Sequence, residues 1–159
     1  MDLLRAPNSD DLAALIALNN RHDKEVGLLT KTSFAELVTL SFRTRMTEDR
    51  SAFLIALSER APEIAPNYRW FATRFDRFVY IDRVVVGEGA RRKGYGRMLY
   101  HDLLLAAAEA GHRHVCCEIN TEPPNPVSDA FHASFGFVEV GRAYLPDRNK
   151  SVRYLMLEM

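Results

Sequence analysis

The stretch Phe78-Val79-Tyr80-Ile81-Asp82-Arg83-Val84-Val85-Val86 runs through Gly87-Glu88-Gly89-Ala90 into Arg91-Arg92-Lys93-Gly94-Tyr95-Gly96-Arg97. Its first nine residues are rich in β-branched and aromatic side chains and read as a strand. From Tyr95 to Ala110 the apolar positions Met98, Leu99, Leu103, Leu104, Ala106 and Ala107 fit a helix, and Gly111 stands where a left-handed residue would end it. His114 to Ile119 reads as the next strand. Phe78 to Ile119 is therefore a crossover unit whose two strands are expected to be parallel neighbours. At its centre the glycines let the backbone approach a ligand, while the first helical turn presents amides without intrahelical partners. Those amides, the positive end of the helix dipole and the side chains of Arg91, Arg92, Lys93 and Arg97 together suit a phosphate or pyrophosphate.

The flanking sequence gives the rest of an α+β domain spanning 1–159 with a mixed, mostly antiparallel sheet of six to seven strands and about four helices. Leu3 to Ala6 reads as an edge strand, and Asp10 to Asn20 as a helix with Leu12, Leu15, Ile16 and Asn19 on one face. After a polar, irregular stretch from Arg21 to Thr32, Ser33 caps a second helix carrying Phe34, Leu37, Val38 and Phe42. Ser51 to Leu57 is a compact apolar strand, and Ala61 to Asn67 a loop with two prolines. Tyr68 to Phe75 reads as a strand paired antiparallel with Phe78 to Val86 through a turn at Asp76 and Arg77. A proline-rich loop leads into a helix from Val127 to Phe135, and Phe137 to Tyr144 and Val152 to Met159 close the chain as strands.

The glycine loop by itself leaves several readings. A nucleoside-triphosphatase loop needs Ser or Thr after Gly-Lys, and Gly94 is followed by Tyr-Gly-Arg, so that reading drops out. A dinucleotide loop would place its first glycine directly after the strand and a third where Leu99 stands, and the spacer from Gly87 to Lys93 argues against it. A solvated basic helix start with a glycine turn needs no ligand at all.

The wider pattern separates these readings. Arg91-x-x-Gly94-x-Gly96 after Val84-Val85-Val86, then a helix, then Val115-Cys-Cys-Glu-Ile-Asn120, then Asn125 through Gly136-Phe137 and the ending Gly-Phe-Val-Glu-Val-Gly141, resembles the GCN5-related N-acetyltransferase (GNAT) superfamily from about Tyr80 to Gly141. The resemblance implies acetyl-CoA as donor. It implies that Val84, Val85 and Val86 form the edge along which pantetheine lies, that the backbone from Arg92 to Arg97, including Lys93, Gly94, Tyr95 and Gly96, cradles the pyrophosphate, and that Asn125 contacts the cofactor arm. It also implies that the strand ending at Val86 splays from the one ending at Ile119, leaving an edge free.

Acetyl transfer to an amine needs a base for the amine proton, a donor for the carbonyl oxygen and a proton for the leaving thiolate. Tyr80 and Asp82 share a strand face with Val84 and Val86 by period two, and the resemblance implies a base at these positions. Asp82 is the first choice, and an ion pair with Arg83 or Arg77 is its structural alternative. Glu118 and Asn120 point the same way from the neighbouring strand and could bind the amine or relay its proton. Where the superfamily has a tyrosine acid, four residues before the glycine of Gly-Phe, this chain has His132. An imidazole can donate a proton near neutral pH, and packing against the cofactor is the alternative.

Composition bounds the rest. Lys plus Arg number 21 and Asp plus Glu number 21, so no net charge draws the protein to nucleic acid or an acidic membrane. No apolar run approaches the ~20 residues of a membrane span, and the start MDLLRAPNSDD lacks the pattern of an export signal, which predicts a cytoplasmic protein. Cys116 and Cys117 are adjacent and would face opposite sides of a strand, which excludes a disulfide framework and the usual zinc spacings, so no metal is expected. The acceptor is expected to be a small-molecule amine or a peptide. Asn20, His22, Asp23 and Glu25 with Asp82 or Glu118 would suit a cationic small molecule. A catalytically degenerate acyl-CoA-binding regulatory module is the alternative function, and a homodimer through Tyr144, Tyr154, Leu155 and Leu157 competes with those residues simply facing their own core.

Overall fold

In the computed structural model, which describes residues 3–62 and 65–159, the elements run β1 (Leu4–Arg5), α1 (Leu12–Asn20), α2 (Asp23–Val26), α3 (Lys31–Leu40), β2 (Arg43–Thr47), β3 (Ala52–Ser58), α4 (Pro66–Ala72), β4 (Val79–Val86), α5 (Tyr95–Glu109), β5 (His114–Asn120), α6 (Pro126–Phe135), β6 (Val138–Leu145) and β7 (Lys150–Glu158). The seven strands form one sheet in the order β1-β2-β3-β4-β5-β7-β6. Every pairing is antiparallel except β4 with β5, the expected crossover. Residues 63 and 64 of the expected proline loop lie outside the described residues.

Core residues divide between the two faces of the sheet. Leu15, Leu18, Phe34, Leu37, Tyr68 and Phe71 from α1, α3 and α4 cover one face with Tyr80 and Cys116. Leu99, Tyr100, Leu103 and Ala107 from α5 cover the other with Ile81 and Cys117. The adjacent cysteines thus enter opposite cores as free thiols, as strand alternation requires. Gly111 takes φ +83° just past α5, the left-handed residue expected there.

Four readings are corrected. Tyr68 to Phe75 is not a strand: α4 begins with Pro66 at its first turn, and it buries Asn67, Tyr68 and Phe71, which fall on one helical face. Its aromatics resemble a strand in type, but their burial follows the helical period; Tyr68 Oη donates to the carbonyls of Ser58 and Ala61. The antiparallel partner of β4 is instead β3. The second helix is capped by Thr30, which exchanges hydrogen bonds with Ser33, and it ends at Leu40. Phe42 lies beyond it and leads into β2, whose Arg-Thr-Arg-Met-Thr sequence hides a strand because only Thr44, Met46 and Thr47 are buried. Tyr154 and Leu155, offered as dimer surface, are 1% and 3% exposed and belong to the core, whereas Tyr144 on the edge strand β6 is exposed. Among the described residues the α-helices number six, two more than expected, because α2 and α4 were read as loop and strand.

The crossover creates the gap that matters for function. β4 and β5 pair at only two positions, Val79 with Val115 and Tyr80 with Cys116. β4 then continues to Val86 against β3, while β5 continues to Asn120 against β7. Beyond Tyr80 the second edge of β4 has no strand partner among the described residues.

Candidate active site

The register between β3 and β4 shifts at Ile55 and Ala56, opposite Arg83 and Ile81, which leaves Asp82 as an extra residue on β4. This bulge breaks the expected alternation. Tyr80 packs into the core under α1, α3 and α4, whereas Val84 and Val86 pack toward α5; Val85 is the residue that returns to the Tyr80 side. Asp82 therefore does not share one face with Tyr80, Val84 and Val86. It sits at the step between the two faces, next to the gap.

That gap opens on both sides of the sheet. On the α5 and α6 side is a cavity of about 630 Å³ bordered by Val84, Tyr100, Asn125 and His132. A second cavity, of about 310 Å³, is bordered by Asn67, Tyr80, Leu145 and Val152 on the opposite side. Asp82, Arg83, Glu118 and Asn120 border both, as do Glu25, Val26, Arg148 and Lys150, so these residues stand at the junction.

Glu118 is the most chemically distinctive member. Tyr80 Oη donates to Glu118 Oε2 at 2.6 Å. Burial pushes the Glu118 carboxyl from its ordinary 4.5 up to about 7; the Tyr80 hydroxyl holds it back and the nearby Asp82 charge adds to the rise. Asn67 also supports the carboxylate, and its amide oxygen is fixed by Tyr154 Oη at 2.9 Å. Trp70 stacks on Tyr154 at 4.2 Å, occupying the space a side chain at Gly141 would need. Asp82 is differently placed. Its carboxylate is paired with Arg83 at 2.8 Å, and Arg83 also donates to Asn19 Oδ1 at 2.8 Å, which ties α1 to the gap.

His132 is 6% exposed, with both ring nitrogens engaged. Nδ1 lies 2.8 Å from the Ser128 carbonyl, which only accepts, so Nδ1 carries the proton. Nε2 then accepts from Tyr100 Oη at 2.8 Å. Burial lowers the imidazole pKa further, keeping this neutral form.

At the start of α5, Gly94 adopts φ +79° and no side chain caps the helix. The first amide bonded to the turn is that of Met98, on the Gly94 carbonyl. Before it, the Lys93 amide bonds the Ala90 carbonyl at 3.4 Å, whereas those of Arg92 and of Gly94 to Arg97 have no backbone partner among the described residues; they lie beside exposed Arg91, Arg92 and Lys93, and the space around the Gly94 Cα is open. Arg97 turns away from this loop, donating to Ser134 Oγ at 3.0 Å and lying 4.8 Å from the Phe135 ring centroid. Tyr95 Oη is held by Asp49. Asn125 caps α6 by accepting from the Ser128 amide at 3.1 Å.

The splayed strand pair β4–β5 and the glycine-led start of α5 lie within the part of the chain that a family comparison matches. The model described as "Acetyltransferase (GNAT) family" covers residues 44–137, more than half of the chain. The chain belongs to the GNAT acetyltransferase family. Solved structures agree in fold with this GNAT protein. The Chaetomium thermophilum Naa20, solved with a bisubstrate analogue, is 21% identical with TM-score 0.77, over 98% of this chain and 86% of that one. The ribosomal-protein-S18-alanine N-acetyltransferase of Escherichia coli is 16% identical with TM-score 0.72, over 99% and 94%. The yncA protein of Salmonella typhimurium, solved with its cofactor acetyl-CoA, is 17% identical with TM-score 0.73, over 98% and 92%. No curated protein matches the chain.

Sequence reasoning named Tyr80, Asp82, Val84, Glu118, His132 and Asn125, all of which border the cavities. Val85, Val86 and the Arg91–Arg97 loop lie outside those walls, further along β4 and at the start of α5. Asn67, Tyr100, Arg148 and Lys150 were not named, and Tyr154 was named only as dimer surface. Asn67 sat in a stretch read as loop, and the others carried no local pattern; only the packing of α4, α5 and the β6–β7 turn against the gap brings them in. Among the described residues no cluster of His, Cys, Asp and Glu suits a metal, and no helix is long and apolar enough to cross a membrane.

Proposed function

We propose that this GNAT protein is an N-acetyltransferase that transfers acetyl from acetyl-CoA to the primary amine of a small acceptor. The observation that carries this reading is the two-sided gap between β4 and β5, with Glu118 at the junction of its two cavities. The open edge of β4 at Val84 to Val86 would pair with pantetheine amides as a strand does, and the unpartnered amides of Arg92 and of Gly94 to Arg97 would hold the pyrophosphate. Asn125 borders the same cavity and would meet the cofactor arm. Acetyl-CoA, when bound, supplies a thioester carbonyl open to attack by an amine.

Glu118 is assigned as the base. With a pKa of about 7 it is half ionised at neutral pH, which suits a group that must accept a proton and release it again. Tyr80 is a positioning residue, because its single hydroxyl proton is directed at Glu118. Asp82 is engaged by Arg83, and its charge acts through Glu118 by keeping that carboxyl basic. A backbone N–H on the free edge near Val84 would stabilise charge on the carbonyl oxygen. The neutral His132 described above has no proton directed into the cavity, so it and Tyr100 form a wall, and water is the proton source for the leaving sulfur.

The test is calorimetric titration with acetyl-CoA combined with thiol release across polyamines, aminoglycosides, amino acids and peptides. The reading expects binding, release with at least one amine, and loss of release in Glu118→Gln with binding retained. Binding without release from any amine would establish the degenerate module instead, and absence of binding would overturn both.

A further inference from the structure

The rim of the smaller cavity carries charge that the chemistry at Glu118 does not use. Asp82 and Arg83 neutralise each other. Of the remaining charged side chains bordering this cavity, Glu25 comes from α2, Arg148 from the turn between β6 and β7, and Lys150 from the first position of β7. Lys150 Nζ donates to the Lys24 carbonyl at 2.6 Å, an uncharged oxygen, so its positive charge is held at the mouth without being cancelled. Arg148 is exposed and has no ion pair among the described residues. Arg148, Lys150 and Glu25 also border the larger cavity, where Lys24 adds a cation and Glu122 an anion. Apart from Glu118, the fixed charge at the acceptor entrance is therefore positive, with Arg148 and Lys150 against Glu25.

The loop that the sequence offered for a cationic acceptor is occupied with its own structure. Asn20 Oδ1 accepts from the Leu29 amide and its Nδ2 donates to the Leu29 carbonyl, while His22 Nδ1 lies 3.0 Å from the Leu18 carbonyl. A polycation would meet repulsion at Arg148 and Lys150. An amine that also carries an anion would be drawn in, and a guanidinium beside an ammonium is a suitable receiver for a carboxylate.

We propose that the acceptor is a small primary amine bearing a carboxylate or comparable anionic group, which Arg148 and Lys150 receive while the amine faces Glu118. This rests on the acetyltransferase reading above. It makes Arg148 and Lys150 the specificity-determining residues, with α2, which Lys150 touches, and α4 completing the lining.

The experiment compares matched amines in thiol release: β-alanine and glutamate, their uncharged amides, the diamine putrescine, and short peptides with acidic or basic second residues. The same amines are titrated calorimetrically into the protein with CoA present, so that acceptor binding is read without turnover. The expected result is kcat/KM at least about tenfold higher for β-alanine and glutamate than for their amides. In the double variant Arg148→Glu, Lys150→Glu, binding and kcat/KM for the anionic amines should fall about tenfold or more. The uncharged amides should change by less than about threefold, and acetyl-CoA affinity should stay the same. Amides or putrescine turned over as well as the anionic amines, with the double variant indifferent, would overturn this inference and leave the acetyltransferase reading standing. Acidic peptides outperforming every small amine would overturn the small-acceptor assignment. No release from any amine despite acetyl-CoA binding would overturn the reading beneath it.

Discussion

Replacing Tyr80 by Phe removes one hydroxyl from the gap and leaves its ring, which packs against Phe71 and Tyr68, in place. The lost contact is the 2.6 Å hydrogen bond donated to Glu118. Because the hydroxyl donates to the ionised carboxylate, it favours the charged form, and its loss must raise the Glu118 pKa. A hydrogen bond to a charged group is worth about 1.5–3 kcal/mol. At 1.36 kcal/mol per pKa unit that is a rise of about 1–2 units, taking Glu118 from about 7 to roughly 8–9. The ionised fraction at pH 7 falls from about one half to about one tenth or less, so turnover should drop roughly 5- to 50-fold there and recover near pH 9. The assay is thiol release at saturating substrates from pH 5.5 to 9.5, with the Glu118 carboxyl titrated in parallel by carbon NMR. The acidic limb of the variant's rate profile should lie about 1–2 units above that of the unmodified protein. A limb that stays in place or moves to lower pH would refute Glu118 as the base held by Tyr80. Uniform loss of rate at every pH would show that the hydroxyl serves packing or substrate binding instead.

Glu118 also costs stability. Its native pKa lies above the ordinary 4.5, so the folded protein keeps a proton that the unfolded chain releases, and stability falls as pH rises from about 4.5 to about 7. The loss is on the order of 3 kcal/mol once both states are ionised, and Glu118→Gln should recover much of it, seen as a higher Tm at pH 8 and little change at pH 4. Gly94→Asp places a negative side chain, in a left-handed conformation that disfavours it, beside the unpartnered amides of α5. Nothing lies within 4 Å of the new Cβ, so circular dichroism should show an intact fold while acetyl-CoA affinity falls beyond calorimetric detection. Tyr100→Phe removes the partner of His132 Nε2. If this pair is wall rather than acid, turnover should fall by less than about tenfold with its pH profile unchanged, whereas loss of a general acid costs about 10²–10⁴.

The candidate site was legible in unequal parts. Gly94, Gly96 and the basic residues around them are contiguous, and the presence of a strand before and a helix after them is set by local patterns. Glu118 could be placed at the gap because strand alternation from Cys116 carries over two residues. The same rule failed for Asp82, because a bulge is a mismatch between two strands and cannot be read from one of them. Tyr68 to Phe75 failed for a related reason: aromatic residues suit a strand or a buried helix face, and docking under Ser58 and Ala61 decided the matter.

Local sequence was enough for the half proposed to hold the donor: the crossover, the glycine-led helix start and the basic loop are built from residues close in the chain. Tertiary packing decided the half proposed to hold the acceptor. The pairing of Tyr80 with Glu118, the support of Glu118 by Asn67 and Tyr154, the closed bonding of His132 and the positive rim at Arg148 and Lys150 join residues from different elements. Their burial, proton positions and summed charge depend on distances between those elements. A chain with no net charge thereby acquires a cavity whose entrance has one.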